Sequence, residues 1–365
     1  MSSGGVEEES SESARQLECF ERSGGRYSIL VTPYIGYEDT VLEIRNRNRT
    51  RPTDRAHMDW RYKQLEGVKA ARLFWIEVAG GMKIGVAGVV FRKYCVNGNL
   101  REMGVLGDIA LDTRFRGKGL GKKLFDAINR SFQEDGSTLG LVIPNEMAGR
   151  ALKATGWETA DSLIPYVMDM EPGSKLVALL GNKTAKIVAA IIRESLLFVL
   201  RLKVDEEMEF QPVRLEHPTQ GEPWERLRKE GLVMRDRQLD FLKWRYSEHP
   251  KGDFIFLECY KRKECVAMVV IRLLPDKRTC VIYDFIGELK EIHKVLRALS
   301  LWLYREKGVK KLRFVVNERR SFFKGIQRFG FVKRPVLGDV LVYEGSGYHR
   351  DKSLCWFITS GDKDV

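Results

Sequence analysis

The residues of this sequence with the clearest chemical potential are glycines and cations in the stretch 111–123. The glycines are Gly117, Gly119 and Gly121, and the cations are Arg116, Lys118, Lys122 and Lys123. Glycines let backbone N–H groups approach a ligand closely because they have no Cβ atom. An apolar run precedes the stretch, and apolar residues recur at every fourth position after it, from Leu120 to Phe132. This order predicts a strand, a loop and a helix whose N-terminus adds positive charge, which is an anion site suited to phosphate groups.

The spacing of these glycines excludes two common phosphate loops. A dinucleotide-binding loop would need a third glycine at position 122, where the sequence has Lys122. A Walker loop needs four residues between its glycines and a hydroxyl after its lysine, but three residues separate Gly117 from Gly121 and Lys123 takes the hydroxyl position. The pattern that fits is R-x-x-G-x-G, formed by Arg116, Gly119 and Gly121. A glycine-rich turn that merely begins a helix is the alternative.

The R-x-x-G-x-G pattern resembles the pyrophosphate loop of the GNAT superfamily, which are acyl-CoA-dependent N-acyltransferases. The resemblance implies acetyl-CoA as acyl donor, with its pyrophosphate on the loop and its pantetheine arm along the backbone of the preceding strand. Asn145 is implied as a further contact to that arm or to the substrate, or else it is a turn residue after Pro144. The implied donor-binding residues are Ile109, Ala110, Leu111, Arg116, Gly117, Lys118, Gly119, Leu120, Gly121, Lys122 and Asn145.

The elements around this loop predict an α+β fold. Residues 27–170 are predicted to give a strand, helices, hairpin strands, the strand–loop–helix unit, a strand with a short helix, and a final strand. Glycines in 79–82 and the pair Asn97-Gly98 mark the hairpin turns. The same order resembles the GNAT fold throughout this range, and Gly156-Trp157 after the short helix matches a second signature of the superfamily.

The second half of the chain repeats the first. Trp244-Arg245-Tyr246 repeats Trp60-Arg61-Tyr62, and Gly330-Phe331 repeats Gly156-Trp157. We therefore predict two tandem GNAT-like domains, each a mixed and mostly antiparallel sheet flanked by helices. The expected organisation is a disordered tail at 1–25, a catalytic domain at 26–172, a helical linker at 173–208 and a degenerate domain at 209–365.

The second copy lacks the glycine loop. Glu288 and Glu291 stand where the first copy has cations, and carboxylates there would repel a pyrophosphate. We therefore expect one donor site in a chain with two GNAT-like domains.

Candidate acid–base residues are fewer than in a typical member of the superfamily. Asp108 in the apolar strand is a candidate base, with Glu102 a weaker one, but the degenerate copy keeps Asp284 at the matching place, which favours a structural role. The superfamily's usual general-acid tyrosine corresponds to Leu152 here. Tyr166 on the last strand is the alternative acid, or a core tyrosine.

Composition and charge bear on the partners. The formal net charge is +12, although the first 25 residues are net acidic, so the body favours anionic ligands. We interpret the chain as a cytoplasmic enzyme that transfers an acetyl group from acetyl-CoA to a primary amine of an unidentified, acidic acceptor. The alternative is a non-catalytic module that senses acyl-CoA or binds a polymer or nucleic acid. The expected anion-binding cations form a late cluster: Lys310, Lys311, Arg313, Arg319, Arg320, Lys324, Arg328, Lys333 and Arg334.

Two further expectations concern the cysteines and the linker. The six cysteines show no metal-ligand spacing with the five histidines, which is typical of reduced thiols. The N-terminus lacks the pattern of a signal peptide. The apolar stretch 184–203 predicts a helix with Arg193 and Glu194 at its centre, so it is not expected to be a transmembrane segment. Flanking cations leave membrane-surface contact open, against the alternative that the helix packs the two domains together.

Overall fold

The computed structural model describes residues 14–136, 139–171, 182–202, 208–215, 221–317, 326–344 and 355–362. The strands of the first half are β1 Arg15–Arg22, β2 Gly25–Pro33, β3 Arg72–Val78, β4 Lys83–Val96, β5 Asn99–Leu111, β6 Leu139–Val142 and β7 Glu158–Asp169. Its helices are α1 Glu38–Arg47, α2 Arg55–Tyr62, α3 Leu120–Glu134 and α4 Glu146–Lys153. The strands follow the predicted order, and the two hairpin turns lie at the predicted glycines.

The described residues of the second half repeat this arrangement of strands. Its strands are β8 Met208–Val213, β9 Val233–Arg235, β10 Phe254–Lys261, β11 Glu264–Leu273, β12 Thr279–Gly287, β13 Lys311–Asn317, β14 Val332–Lys333 and β15 Gly338–Glu344. Its helices, with the one that joins the halves, are α5 Asn182–Leu202, α6 Gly221–Arg228, α7 Leu239–Leu242 and α8 Ile292–Lys307. A π-helical turn, Lys243–Ser247, continues α7 and carries the repeated Trp-Arg-Tyr motif.

All fifteen strands of the described chain belong to one sheet. Its order along the main path is β1-β2-β3-β4-β5-β6-β15-β7-β13-β12-β11-β10-β8. The two halves are joined by exchange of their last strands: β15 lies between β6 and β7, while β7 pairs with β13 of the second half. Because of this exchange, both edges of β7 and both edges of β15 pair with other strands. Neither strand therefore exposes an edge with unpaired backbone groups.

The two faces of the first-half sheet carry different helices. On one face, α3 buries Leu120, Leu124, Ile128 and Phe132, which are the residues predicted from the four-residue spacing. The other face is covered by α1 and α2, whose buried residues pack with those of β3, β4 and β5.

The expected disordered tail is wrong for residues 15–22. These residues form β1, which pairs antiparallel with β2 through a two-residue turn at Ser23 and Gly24, both with positive φ. The many charges of this segment are typical of a solvated tail. In the fold, however, Glu18 forms ion pairs with Lys123 and Arg130 of α3. Residues 1–13 lie outside the described residues.

The linker helix α5 lies against α8 and against the short 3-10 turn Ile326–Phe329 of the second half. Three isoleucines of α5, Ile187, Ile191 and Ile192, are exposed. None of the described helices combines the length and hydrophobicity that crossing a membrane requires. The six cysteines are free thiols, four of them buried.

Candidate active site

The site begins at a bulge in β5. Val86 of β4 pairs with Ala110 and Gly88 pairs with Gly107, so Asp108 and Ile109 together stand opposite a single residue. Asp108 adopts a positive φ of 47°, which is uncommon for a residue other than glycine. Such bulges redirect the strand and the side chains on it.

Beyond the bulge, β5 and β6 separate. The two parallel strands pair only at Gly104 with Gly140 and Val105 with Leu141. From Leu106 onward no described strand pairs with the edge of β5 that faces β6, although Arg116 Nε donates to the Leu111 carbonyl oxygen at 3.1 Å. A cleft of about 600 Å³ occupies the split. Val105–Ile109 line one wall and Leu141–Asn145 the other. An unpaired strand edge of this kind can hydrogen-bond an extended ligand.

The buried side chain of Asp108 is the centre of an ion-pair cluster in the wall of the cleft. Its Oδ1 accepts from Arg45 Nε at 2.7 Å, its Oδ2 lies 2.9 Å from Arg61 Nε, and Tyr62 Oη donates to Oδ2 at 3.0 Å. Burial alone would raise the pKa of Asp108, but the charges of Arg61 and Arg45 outweigh it and hold the pKa below its ordinary value. Gly107 is required here, since a Cβ atom would lie 1.9 Å from the Arg61 guanidinium.

The second half repeats this cluster. Arg237 Nε donates to Asp284 at 3.0 Å, and Tyr246 Oη donates to Asp284 Oδ2 at 3.0 Å. The arginines differ, since Arg245, the counterpart of Arg61, donates through Nε to Gly361 O at 2.7 Å. A buried aspartate with a tyrosine and an arginine partner nevertheless recurs in a half without a glycine loop, which favours a structural role for Asp108.

Tyr166 lies away from the cleft. It is 4% exposed, stands beside Phe314 of β13 in the sheet and belongs to the apolar core of the second half. It is not among the residues that line the cleft. This position does not suit the expected acid role of Tyr166, because the exchange of the last strands takes β7 into the other half's core.

The glycine loop follows β5 through a 3-10 turn, Thr113–Phe115. Gly119, with φ of 71°, is the N-cap of α3, so the N–H groups of the first turn have no partners within the helix. Gly117 and Gly121 have no atom within 4 Å of the place where a Cβ would lie. Arg116 and Lys122 are exposed, and Lys118 lies 5.2 Å from the centre of the Phe115 ring. The loop therefore presents backbone donors and cations together at the end of the strand that walls the cleft.

The cations beside the glycine loop differ from the expected set in two ways. Lys123 is held by Glu18 at 2.9 Å and lies over the Phe20 ring, so its charge is compensated within the protein. Arg22 takes its place: a Cβ atom on Gly119 would lie 2.7 Å from the Arg22 guanidinium. Sequence reasoning missed Arg22 because it counted residues 1–25 as tail. The hairpin signal Ser23-Gly24-Gly25 could have found it.

The other donor-site residues lie as follows. Ile109 and Asn145 line the cleft, and Ala110 and Leu111 continue the same strand toward the loop. Asn145 is the N-cap of α4, with its Oδ1 accepting from Ala148 N at 2.9 Å. Asn145 is therefore a capping residue at the cleft wall.

The matching split in the second half is filled by the chain itself. After Ile282 pairs with Phe314, β12 and β13 separate as β5 and β6 do. The segment 355–362 enters this gap: Asn317 N donates to Ile358 O at 3.2 Å, and Thr359 Oγ1 donates to Asp284 Oδ1 at 3.1 Å. No motif in the sequence indicated this filling segment.

The second half also reaches the open cleft. Leu337 and Asp362 line it, and Asp362 is ion-paired with Arg237 at 2.9 Å. The described members of the expected late basic cluster do not line it, and Lys310 pairs with Glu171 instead. The cleft's own cations come from the first half. Arg319, Arg320 and Lys324 lie outside the described residues.

With this geometry in place, the comparison with solved structures decides the fold. A GCN5-related N-acetyltransferase from Anabaena variabilis ATCC 29413 superimposes with a TM-score of 0.60 at 10% identity, over 86% of this chain and 72% of that one. A probable N-acyltransferase from Enterococcus faecalis V583 gives 0.62 at 10% identity, over 87% and 72%. A tandem GNAT protein from the clavulanic acid biosynthesis pathway gives 0.52 at 9% identity, over 88% and 100%. The chain has a tandem GNAT fold.

No protein-family profile matches the sequence, and no curated protein matches it either. The evidence for function therefore lies in the split between β5 and β6, the bulge at Asp108 and the glycine loop.

Proposed function

We propose that this tandem GNAT-fold protein is an acyl-CoA-dependent N-acyltransferase that moves an acetyl group from acetyl-CoA to a primary amine. The observation that carries the proposal is the glycine loop at the end of an unpaired strand edge that opens into a cleft. Elsewhere, the matching split of the second half is filled by the chain itself, so the open split of the first half offers room for a ligand.

The residues of the loop fit the diphosphate of CoA. Backbone N–H groups of the first turn of α3 point along the helix axis, and Arg22, Arg116 and Lys122 add full charges that contact solvent. Charge-assisted hydrogen bonds of this kind are the strong ones in phosphate recognition. The edge of β5 at Ile109–Leu111, with which no described strand pairs, would hold the amides of the pantetheine arm, as a neighbouring strand would.

Acyl transfer then needs a neutral amine beside the thioester carbonyl. The amine nitrogen attacks the carbonyl carbon, the C–S bond breaks, and the CoA thiolate and an amide are released. An unpaired backbone N–H at the β5 edge is suited to stabilising the oxyanion, because it is fixed before the reaction begins. The amine proton passes to water, since Asp108 is committed to Arg45 and Arg61. No enzymic acid is required, because a thiolate is a good leaving group.

The test combines donor binding with turnover. Calorimetric titration of the full chain with acetyl-CoA should give saturable binding, and Gly119→Glu should abolish it by placing a carboxylate at the loop. The control for backbone strain is Gly231→Glu, since Gly231 shares the positive φ (64°) of Gly119, although no atom lies within 4 Å of a Cβ added at Gly231. Steady release of CoA thiol with a panel of amines is the expected activity. Equal affinity of both variants for acetyl-CoA would refute the loop assignment.

A further inference from the structure

The cleft carries more positive than negative charge among its described lining residues. Four arginines line it: Arg45, Arg49, Arg51 and Arg61. The lining carboxylates are Asp108 and Asp362. Asp108 already serves both Arg45 and Arg61, and Asp362 is paired with Arg237 from outside the cleft. Neither lining carboxylate therefore compensates the charges of Arg49 and Arg51.

Arg49 is the more informative of the two. Its side chain is half-buried, and the guanidinium makes no hydrogen bond or ion pair with any of the described residues, whereas its backbone N–H donates to Asn46 O at 3.4 Å. Burial lowers the pKa of Arg49, and Arg45 and Arg61 add to the cost of its charge, against a partial offset from Asp108. A guanidinium held at such a place without a partner is costly unless an anion joins it.

The position of Arg49 separates it from the donor site. It follows α1, which covers the sheet face opposite α3, whereas the glycine loop begins α3. The two cationic sites therefore approach the split from opposite faces. CoA phosphates on the loop would leave Arg49 for the other reactant.

We propose that the acceptor is a small amine that carries a carboxylate, and that Arg49 binds this carboxylate while the amine enters the split. The planar guanidinium matches a carboxylate with two parallel hydrogen bonds. The cleft of about 600 Å³ is within the range for small-molecule sites. This inference rests on the proposed N-acyltransferase function for the fate of the amine, but the carboxylate site itself does not need turnover.

The turnover experiment compares amines that differ only in the anion. Thiol release from acetyl-CoA is measured with β-alanine against ethylamine, 4-aminobutyrate against propylamine, and phosphoethanolamine against ethylamine. We expect the carboxylates to be preferred by about tenfold or more in kcat/KM, as the loss of one charge-assisted hydrogen-bonding partner would cost. Arg49→Gln should remove the preference through KM, and Arg49→Lys should keep part of it. Arg47→Gln is the matched control, because Arg47 is exposed and pairs with Glu43 outside the cleft.

The binding experiment needs no activity. Phenylglyoxal modification of Arg49, read by peptide mass spectrometry, should be slowed by 4-aminobutyrate and not by propylamine. Protection without any turnover would support the carboxylate site while refuting acyl transfer. Turnover on neutral amines with no protection would overturn the carboxylate site and leave acyl transfer standing. Protection by phosphoethanolamine alone would also overturn it, by assigning the site to a phosphate.

Discussion

Trp60 and Trp244 exchange hydrogen bonds across the junction of the two halves. Trp60 Nε1 donates to the Trp244 carbonyl oxygen at 2.6 Å, and Trp244 Nε1 donates to the Trp60 carbonyl oxygen at 2.7 Å. The two rings stack with centroids 5.0 Å apart and planes 11° apart. This pseudo-twofold contact, together with the exchanged strands, makes the two halves one packed unit.

We predict that these two tryptophans are energetically coupled. Trp60→Ala or Trp244→Ala should each lower the free energy of unfolding by about 3–5 kcal/mol, because each leaves a cavity and an unpaired carbonyl. The double variant should lose clearly less than the sum of the two. Urea unfolding measures all three variants. The control is Trp302, whose ring lies 5.7 Å from the Phe210 ring at a tilt of 40°, away from the junction. Trp60→Ala and Trp302→Ala should add, so additivity of the Trp60 and Trp244 variants would contradict the coupling.

The second prediction concerns Asp108 and Asp284. Each buried carboxylate compensates arginines, so Asp108→Asn and Asp284→Asn should each destabilise the fold by about 3–5 kcal/mol. Thermal or urea unfolding is the measurement. An Asp108→Asn variant as stable as wild type would contradict this structural role. Loss of turnover in the folded variant, with loss of a limb of the pH–rate profile, would show that Asp108 is also the catalytic base.

The third prediction separates two cations beside the glycine loop. Arg22→Ala should weaken acetyl-CoA binding about tenfold or more, since Arg22 lies over Gly119 and its charge is exposed. Lys123→Ala should change the affinity little, because Glu18 already compensates Lys123. Calorimetry on both variants at one salt concentration tests this difference. A larger loss of affinity in Lys123→Ala than in Arg22→Ala would contradict this and would support the four cations expected from the sequence.

The fourth prediction is one equivalent of acetyl-CoA per chain. In the second half, Thr359 and Ile358 hydrogen-bond within the gap where a pantetheine arm would otherwise lie, and Glu288 and Glu291 replace the cations. Titration of the full chain should therefore saturate at a molar ratio near one. Saturation at two, or CoA bound beside β12 in a crystal of the complex, would contradict this.

The fifth prediction is a loss of stability in mild acid. His57 and His249 contact each other and Trp60 at the junction, and burial lowers the pKa of each to about 4 from an ordinary value of 6.5, with Arg61 adding for His57 and Arg245 for His249. The unfolded chain therefore takes up protons first as the pH falls. The contribution is fully present above about pH 6.5 and is lost progressively toward pH 4.

Urea midpoints at neutral pH and at about pH 5, above most carboxylate pKa values, measure this loss. The double variant His57→Gln with His249→Gln should show a smaller drop between the two pH values. Some drop should remain, because burial also lowers the pKa of His293. An unchanged pH dependence in the double variant would rule out the junction histidines as its source.

The sequence by itself determined the local elements and the repeat. The four-residue spacing from Leu120 to Phe132 gave a buried helix face, the Asn97-Gly98 turn joined β4 to β5, and the glycine loop lies between β5 and α3. These features depend on residues close together in the chain, where periodicity and turn conformation are set locally. The tandem copies were visible for the same reason, since each copy carries the same local signals.

Only the tertiary structure decided which residues meet. The pairing of β15 with β6 and of β7 with β13 moved Tyr166 into the other half's core, and it brought Asp362 to a cleft more than 200 positions earlier in the chain. Long-range pairing of this kind leaves no periodic signal, because either copy's last strand has the same pattern. The roles of Arg22, Lys123 and Arg49 were likewise decided by which of them found a carboxylate in the fold and which did not.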